Sequence, residues 1–316
     1  VSSSGQALVT GGAGFVGSHL AAGLLAQGMR VRVLDDLSTG REHNLAGFTV
    51  ELVQGDVRDA RALAEAMQGV RWVFHEAAMV SVPASLDDPL SCYEVNLQGT
   101  LQVLWAAYQA GVQRVVVASS AAVYGEATEP VDEESPKRPL SPYAASKLAM
   151  EGAARLFTRV YGLATVCLRY FNAYGPRQRP DSPYAAVIPS FIEAMLEGRP
   201  ATIHGEGDQS RDFVYIGDVV RANLLAAERP EAVGGVFNIG SGVSVTIREL
   251  AGILQSFFPQ APAPLHGPSR EGDIRFSRAV LDRAAQALGY RPEVGMQEGL
   301  RSTVEWFRQE RPTPAP

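Results

Sequence analysis

The stretch Ala7-Leu8-Val9-Thr10-Gly11-Gly12-Ala13-Gly14-Phe15-Val16-Gly17-Ser18-His19-Leu20 decides the fold. A short apolar run ends in a glycine-rich turn, and helical periodicity begins where the turn stops, so the segment reads as strand, tight turn, helix. Gly12, Gly14 and Gly17 satisfy G-x-G-x-x-G, while Gly11, Gly14 and Gly17 satisfy G-x-x-G-x-x-G. Either spacing puts backbone without Cβ atoms at a helix N-terminus, where unpaired N–H groups and the helix dipole favour a pyrophosphate. Asp35 follows 18 residues after Gly17 and ends the next apolar run. An acid there accepts hydrogen bonds from the adenosine ribose and repels a 2′-phosphate, so the expected cofactor is NAD rather than NADP. Asp36 is the alternative ribose partner. Asp56, in Gly55-Asp56-Val57 at the end of the third apolar run, reads either as an adenine contact or as an ordinary turn acid.

Outward from this loop, near-continuous apolar runs recur at 7–9, 31–34, 50–53, 72–74, 115–118 and 166–170. Such runs belong to parallel strands covered on both faces, and the segments 15–27, 60–68, 94–109 and 142–161 are long enough for crossover helices. Residues 1–172 therefore read as a doubly wound α/β domain of the Rossmann type. Beyond Asn172, Gly175, Pro176, Pro180, Pro183 and Pro189 punctuate the chain, which marks a smaller α/β substrate-binding lobe over 173–316. Within it, helices are expected at 189–197 and after Asp218, with a turn at 205–208 and a proline-rich connector at 259–268. Thr246 with Glu249 forms a capping box. A strand at 236–239 is expected to return to the first sheet.

The 316 residues suggest about two domains' worth of chain, and with 46% hydrophobic and 20% charged residues they can bury a large core. The net charge of −6, with no basic run, argues against nucleic acid as a partner. No apolar run is long enough to cross a membrane, and residues 1–6 lack the pattern of a secretory signal, so the expected location is the cytoplasm. Cys92 and Cys167 read as packing residues. The five histidines never reach metal-ligand spacing, and no G-x-S-x-G elbow surrounds a serine, so neither a metal site nor a hydrolase triad is expected.

Of 28 basic residues only Lys137 and Lys147 are lysines. Lys147 stands four residues after Tyr143 in a helical segment, so both side chains lie on one face. A phenol titrating near 10 needs its pKa lowered by about 3 units, worth about 4 kcal/mol, to be half ionised at pH 7. An ammonium about 5 Å away at an effective dielectric near 20 supplies about 3 kcal/mol, and a positive nicotinamide can provide the rest. Tyr143 is thus a candidate general base toward a substrate hydroxyl. Ser120, at the carboxyl end of the fifth strand, is placed to share that hydroxyl's hydrogen bond.

With these motifs in order, from the glycine loop through Tyr143-Ala144-Ala145-Ser146-Lys147 to Arg270-Glu271-Gly272-Asp273, the chain resembles the extended short-chain dehydrogenase/reductases over nearly its whole length. Within them it resembles the NAD-dependent UDP-sugar 4-epimerases. The resemblance implies cofactor contacts from Phe15, Val16, Asp35, Asp36, Leu37, Ser38, Thr39, Gly40, Asp56, Val57, Ala77, Ala78, Asn96, Tyr170 and Phe171, with Tyr143 and Lys147. It implies that Asn172 meets the nucleotide-sugar diphosphate, that Arg211 and Arg270 clamp it, and that Asp273 holds the uridine ribose. Val187 is a further implied substrate contact, and His204 stands where the family often puts an aromatic residue against the uracil. A homodimer built from 94–109 and 142–161 is likewise implied.

Two departures refine the substrate. Family dehydratases carry an Asp-Glu pair, and the decarboxylases a Glu, just after the strand ending here at Ser120. This chain has Ala121 and Ala122, so the acid that expels water is missing. Four residues after Asp273, hexose-restricted epimerases carry a bulky aromatic residue and relaxed ones a small residue; Ser277 leaves room for an N-acetyl group. Ser277 is also placed to cap a helix over 278–288. The expectation is an isomerase exchanging UDP-glucose and UDP-galactose, with their N-acetyl forms as additional substrates. The alternatives are a dehydratase, decarboxylase or reductase of nucleotide sugars, or a non-catalytic NAD-binding protein.

Overall fold

The computed structural model describes residues 5–179, 186–269 and 274–310. The first half runs β1 (Gln6–Thr10), α1 (Phe15–Ala26), β2 (Arg30–Asp35), β3 (Val50–Gln54), α2 (Ala60–Ala66), β4 (Val70–His75), α3 (Val82–Asp87), α4 (Pro89–Tyr93), α5 (Gly99–Gln109) and β5 (Arg114–Ser120). It continues with α6 (Pro142–Tyr161), β6 (Thr165–Tyr170), β7 (Asn172–Tyr174), α7 (Val187–Leu196), β8 (Thr202–His204), β9 (Ser210–Tyr215) and α8 (Ile216–Glu228). The last stretch holds β10 (Val236–Ile239), β11 (Ser244–Thr246), α9 (Ile247–Phe257), β12 (Leu265–Gly267), α10 (Asp282–Leu288) and α11 (Met296–Glu310).

Seven parallel strands form one sheet in the order β10-β6-β5-β4-β1-β2-β3. All five residues of β1 are buried, as its unbroken apolar run requires of a strand covered on both faces. On one face α1 and α8 pack together through Leu20, Leu24, Val219 and Ala222; on the other, α2, α5 and α6 bury Leu63, Val103, Leu104 and Met150. The strand order reverses between β1 and β4, which opens a crevice at the carboxyl edge where doubly wound sheets take ligands.

The boundary at 172 divides the chain but not the layers. β10 pairs with β6, and α8 and α10 cover the same sheet, although all three follow it in sequence. The lobe above the crevice has its own core, with Ile188, Phe191, Ile203, Phe213, Leu250 and Leu300 among its buried residues. It rests on two small sheets, β11-β9-β7 and β12-β8, in which every strand but the six-residue β9 has three residues, too short to leave a periodic signature. β12 lies inside the stretch expected to be a plain connector.

Local signals placed the helices well. Ser141 Oγ accepts from Ala144 N (3.1 Å), Pro142 takes the first helical position, and Gly162 at φ +72° ends α6. The capping box is formed in full: Glu249 N donates to Thr246 Oγ1 (3.1 Å) and Thr246 N donates to Glu249 Oε2 (2.8 Å). Two expectations need correction. Residues Glu94–Gln98 make a π turn before α5 rather than regular helix. Ser277 caps nothing: α10 starts only at Asp282, because Ala279 bridges Val131, with Val131 N donating to Arg278 O (3.0 Å) and Val280 N to Val131 O (2.9 Å).

Candidate active site

The glycine loop closes the bottom of the crevice. Gly11 has φ +68°, and a Cβ there would lie 2.7 Å from Ala77 N; one on Gly17 would overlap Gly11 O and come within 2.7 Å of Gly12 Cα. No side chain caps α1 at Gly14, so its first amides, from Phe15 onward, are left for a ligand. A Cβ on Gly12 would instead strike Val33 of β2 at 2.6 Å, so Gly12 serves strand packing. Of the two spacings, Gly11, Gly14 and Gly17 therefore shape the cradle, and it fits a dinucleotide pyrophosphate.

Asp35 is buried beside it. Its Oδ2 accepts from Ala13 N (2.9 Å) and Oδ1 from Leu37 N (2.9 Å). Burial pushes this carboxyl above its ordinary value while the two amides pull it down. The loop through Leu37, Ser38, Thr39 and Gly40 wraps it closely enough that a Cβ on Gly40 would lie 2.7 Å from Oδ1. Asp36 is exposed and turned to its own loop, accepting from Ser38 N and Oγ. Asp56 lies two residues beyond β3 and grips Arg58, whose guanidinium holds it below the usual carboxylate range. Val57 is buried against Gly99. Asn96 is fully buried: its Oδ1 accepts from Met79 N (2.8 Å), and its Nδ2 donates to Met79 O (3.1 Å) and Ser146 Oγ (2.9 Å). These bonds tie the loop after β4, with Ala77 and Ala78, to α6.

Tyr143 and Lys147 share one face of α6, as their spacing required. Lys147 Nζ donates to Ala118 O (2.8 Å) and sits 5.9 Å from the centre of the Tyr143 ring. Ser120 Oγ accepts from Ala122 N (3.1 Å) and is hydrogen-bonded to the Tyr143 phenol. The expected lowering of the phenol is not present in the protein alone. Burial raises Tyr143 above its ordinary value, with the Ser120 bond opposing, and burial lowers Lys147 to about 8. Exclusion of water penalises both charges, and the ammonium aims at a carbonyl rather than at the phenol oxygen. Ionising Tyr143 thus needs the further positive charge a bound ligand brings.

Tyr170 ends β6, and its hydroxyl donates to Glu76 Oε1 (2.8 Å) while accepting from Asn223 Nδ2 (2.8 Å) on α8. Phe171 is buried on the opposite side, against Tyr124. Sequence reasoning missed Glu76 as a site residue; the available signal was an acid directly after an apolar strand at the carboxyl edge.

The lobe contributes a cavity of about 270 Å³ whose walls include Asn172, Val187, His204, Gln209, Arg211 and Phe213. Four residues expected on the substrate thus converge. Asn172 Nδ2 donates to Asp212 O (3.1 Å) and Arg211 Nη1 to Ser210 O (2.9 Å). Gln209, which sequence reasoning missed, donates to His204 O (2.9 Å). Buried Asp212 braces the floor by accepting from Ser241 N, Gly242 N and Ala279 N. Ser277 O accepts from Ser244 Oγ (3.1 Å), and Arg270 and Asp273 lie outside the described residues. Among the described residues no three His, Cys, Asp or Glu side chains converge to hold a metal, and no helix is long and apolar enough to cross a membrane.

The sequence model of the NAD dependent epimerase/dehydratase family matches residues 7–240. A UDP-glucose 4-epimerase of Mycolicibacterium smegmatis is 42% identical over 96% of this chain and 98% of its own. The chain also superposes on the UDP-N-acetylglucosamine 4-epimerase of Methanobrevibacter ruminantium in complex with UDP-N-acetylmuramic acid, with a TM-score of 0.93, 37% identity and coverage of 98% and 99%. The UDP-glucose 4-epimerase of Thermus thermophilus, solved with NAD, gives a TM-score of 0.88 at 40% identity, covering 97% and 100%.

Proposed function

The chain belongs to the NAD dependent epimerase/dehydratase family, and from that premise we propose that it exchanges UDP-glucose and UDP-galactose by NAD-dependent 4-epimerisation through a transient 4-keto sugar, and exchanges their N-acetyl forms as well. The observation that carries this reading is the meeting of Tyr143, Ser120 and Lys147 beside the glycine cradle, with Ala121 and Ala122 following where a dehydratase needs an acid.

NAD would be held by the Gly11-Gly14-Gly17 cradle and Asp35, and when bound would supply a reversible hydride acceptor for carbon 4. Tyr143 takes the 4-hydroxyl proton and later gives it back, Ser120 holds that hydroxyl by a shared hydrogen bond, and Lys147 keeps positive charge near the phenol. Asn172 and Arg211 in the lobe, joined by Arg270 and Asp273, hold the UDP while the keto sugar turns. Because the proton leaves and returns through one phenol, no water-expelling acid is required.

Incubation of the purified protein with either member of the hexose pair, or with either member of the N-acetyl pair, is expected to give that pair's equilibrium mixture from both directions, with no net NADH. Accumulation of NADH, or of a dehydrated or shortened sugar, overturns the reading. Ser277→Tyr is expected to reduce exchange of the N-acetyl pair at least tenfold while the hexose pair stays within a few-fold, as steric exclusion of one group demands.

Leu101, Trp105, Tyr108, Leu156, Val160 and Tyr161 form an exposed apolar face on α5 and α6. A face of this kind supports a homodimer. Light scattering should give twice the monomer mass, and a monomer at micromolar concentration removes the dimer. The two unpaired, buried cysteines support a reducing compartment, the cytoplasm.

A further inference from the structure

Glu76 is a carboxylate inside the cofactor crevice that the chemistry above does not use. It directly follows β4, the strand at which the sheet order reverses, and a Cβ on Gly11 of the cradle would touch the next residue, Ala77. Tyr143 and Ser120 lie at the ends of α6 and β5 on this same side of the reversal, so the hydride acceptor must lie over the ends of β4, β5 and β6 to serve one carbon with the phenol. Tyr170, at the end of β6, donates to Glu76 Oε1 (2.8 Å) and is itself held by Asn223 Nδ2 (2.8 Å). Glu76, only partly covered, thus stands on the side of the reversal over which the ring must rest.

We propose that Glu76 is a positioning and charge-balancing residue, whose carboxylate, held by Tyr170, favours the oxidised over the reduced nicotinamide in the bound cofactor. The ring carries a positive charge when oxidised and none when reduced, so a fixed negative charge nearby acts on one form only. Lys147 brings a positive charge into the same crevice, which taken alone disfavours the oxidised ring. Glu76 is the foremost acidic influence on Lys147, ahead of Glu151. A chain that must hand its hydride back needs the two redox forms near balance, and Glu76 offsets the bias that Lys147 introduces. A merely structural acceptor for Tyr170 does not need the charge, since a glutamine oxygen would accept the same hydrogen bond.

This proposal rests on the reading that NAD occupies the crevice, and the test separates the two. Protein stripped of nucleotide is titrated calorimetrically with NAD and with NADH at pH 8, where a carboxyl that burial pushes up to about 7 is ionised. Glu76→Gln is expected to weaken NAD relative to NADH by roughly tenfold, the size of one charge acting across a partly buried site. Tyr170→Phe, which keeps the carboxylate but removes its donor, should move the ratio the same way by a smaller factor and serves if Glu76→Gln does not fold. A structural role would weaken both forms equally and leave the ratio unchanged, which overturns the proposal alone. Failure of the wild-type protein to bind either dinucleotide overturns the proposal and the NAD reading together.

Discussion

Tyr143→Phe is expected to lower kcat for UDP-glucose epimerisation by about 10³-fold, within the 10² to 10⁴ range that general acid–base catalysis contributes. That corresponds to roughly 4 kcal/mol of transition-state stabilisation. The phenol oxygen is the atom that meets Ser120, and nothing else on α6 replaces it. The variant should fold, because Tyr143 anchors α6 through its backbone, with Tyr143 N donating to Ser85 Oγ (3.2 Å), and the ring keeps its shape. Bound NAD and the KM for the nucleotide sugar should change little, since Asn172 and Arg211 lie across the crevice. Steady-state rates at saturating substrate, with cofactor content measured by absorbance, make the comparison. A rate within tenfold of wild type removes Tyr143 from the chemistry.

The second large effect concerns stability. Arg169 on β6 reaches Glu151 on α6 through two contacts, Nε to Oε1 (2.8 Å) and Nη2 to Oε2 (2.7 Å), with both side chains at most 5% exposed. Ser119 Oγ donates to the same carboxylate (2.5 Å), and Arg169 Nη1 donates to Tyr124 Oη (2.8 Å) and Glu133 O (3.3 Å). Arg169→Ala leaves Glu151 charged and uncompensated in the interior, which costs about 3–5 kcal/mol. For a chain of this size the melting temperature should fall by about 5–8 °C. The double variant Glu151→Leu/Arg169→Met should recover part of that loss, since a buried pair can be exchanged for apolar packing far more cheaply than it can be halved. A thermal melt of Arg169→Ala within two degrees of wild type sinks the argument. The functional link is direct: this pair locks α6 onto β5 and β6, and α6 carries Tyr143 and Lys147.

Much of the site was legible because its signals are short in sequence. The glycine loop spans seven residues from Gly11 to Gly17, Tyr143 and Lys147 are one helical turn apart, and Thr246 with Glu249 closes its own box. Each depends only on backbone geometry that a few neighbouring residues specify. Asn172, Val187, His204 and Arg211 were placed by resemblance, and the fold brings them to one cavity. Gln209 and Phe213 carried no signal, because their role comes from where β9 and the residue before it sit in the lobe, against β7 and β11, which are remote in sequence.

The sequence by itself therefore determined the doubly wound sheet, the glycine cradle, and the phenol and amine on one helix face, since these follow from periodicity and from turn and cap chemistry within single segments. The expected return of β10 to the first sheet held, and only the tertiary structure decided that α8 and α10 cover that sheet, that Asn96 ties a loop to α6, and that Asp212 braces the cavity. It alone joined Glu76 to Tyr170 across 94 residues and Tyr170 to Asn223 across 53. It also reversed the expected direction of the Tyr143 shift, because a titration depends on how much water burial removes and on where a distant ammonium points. Those quantities exist only once remote segments have packed.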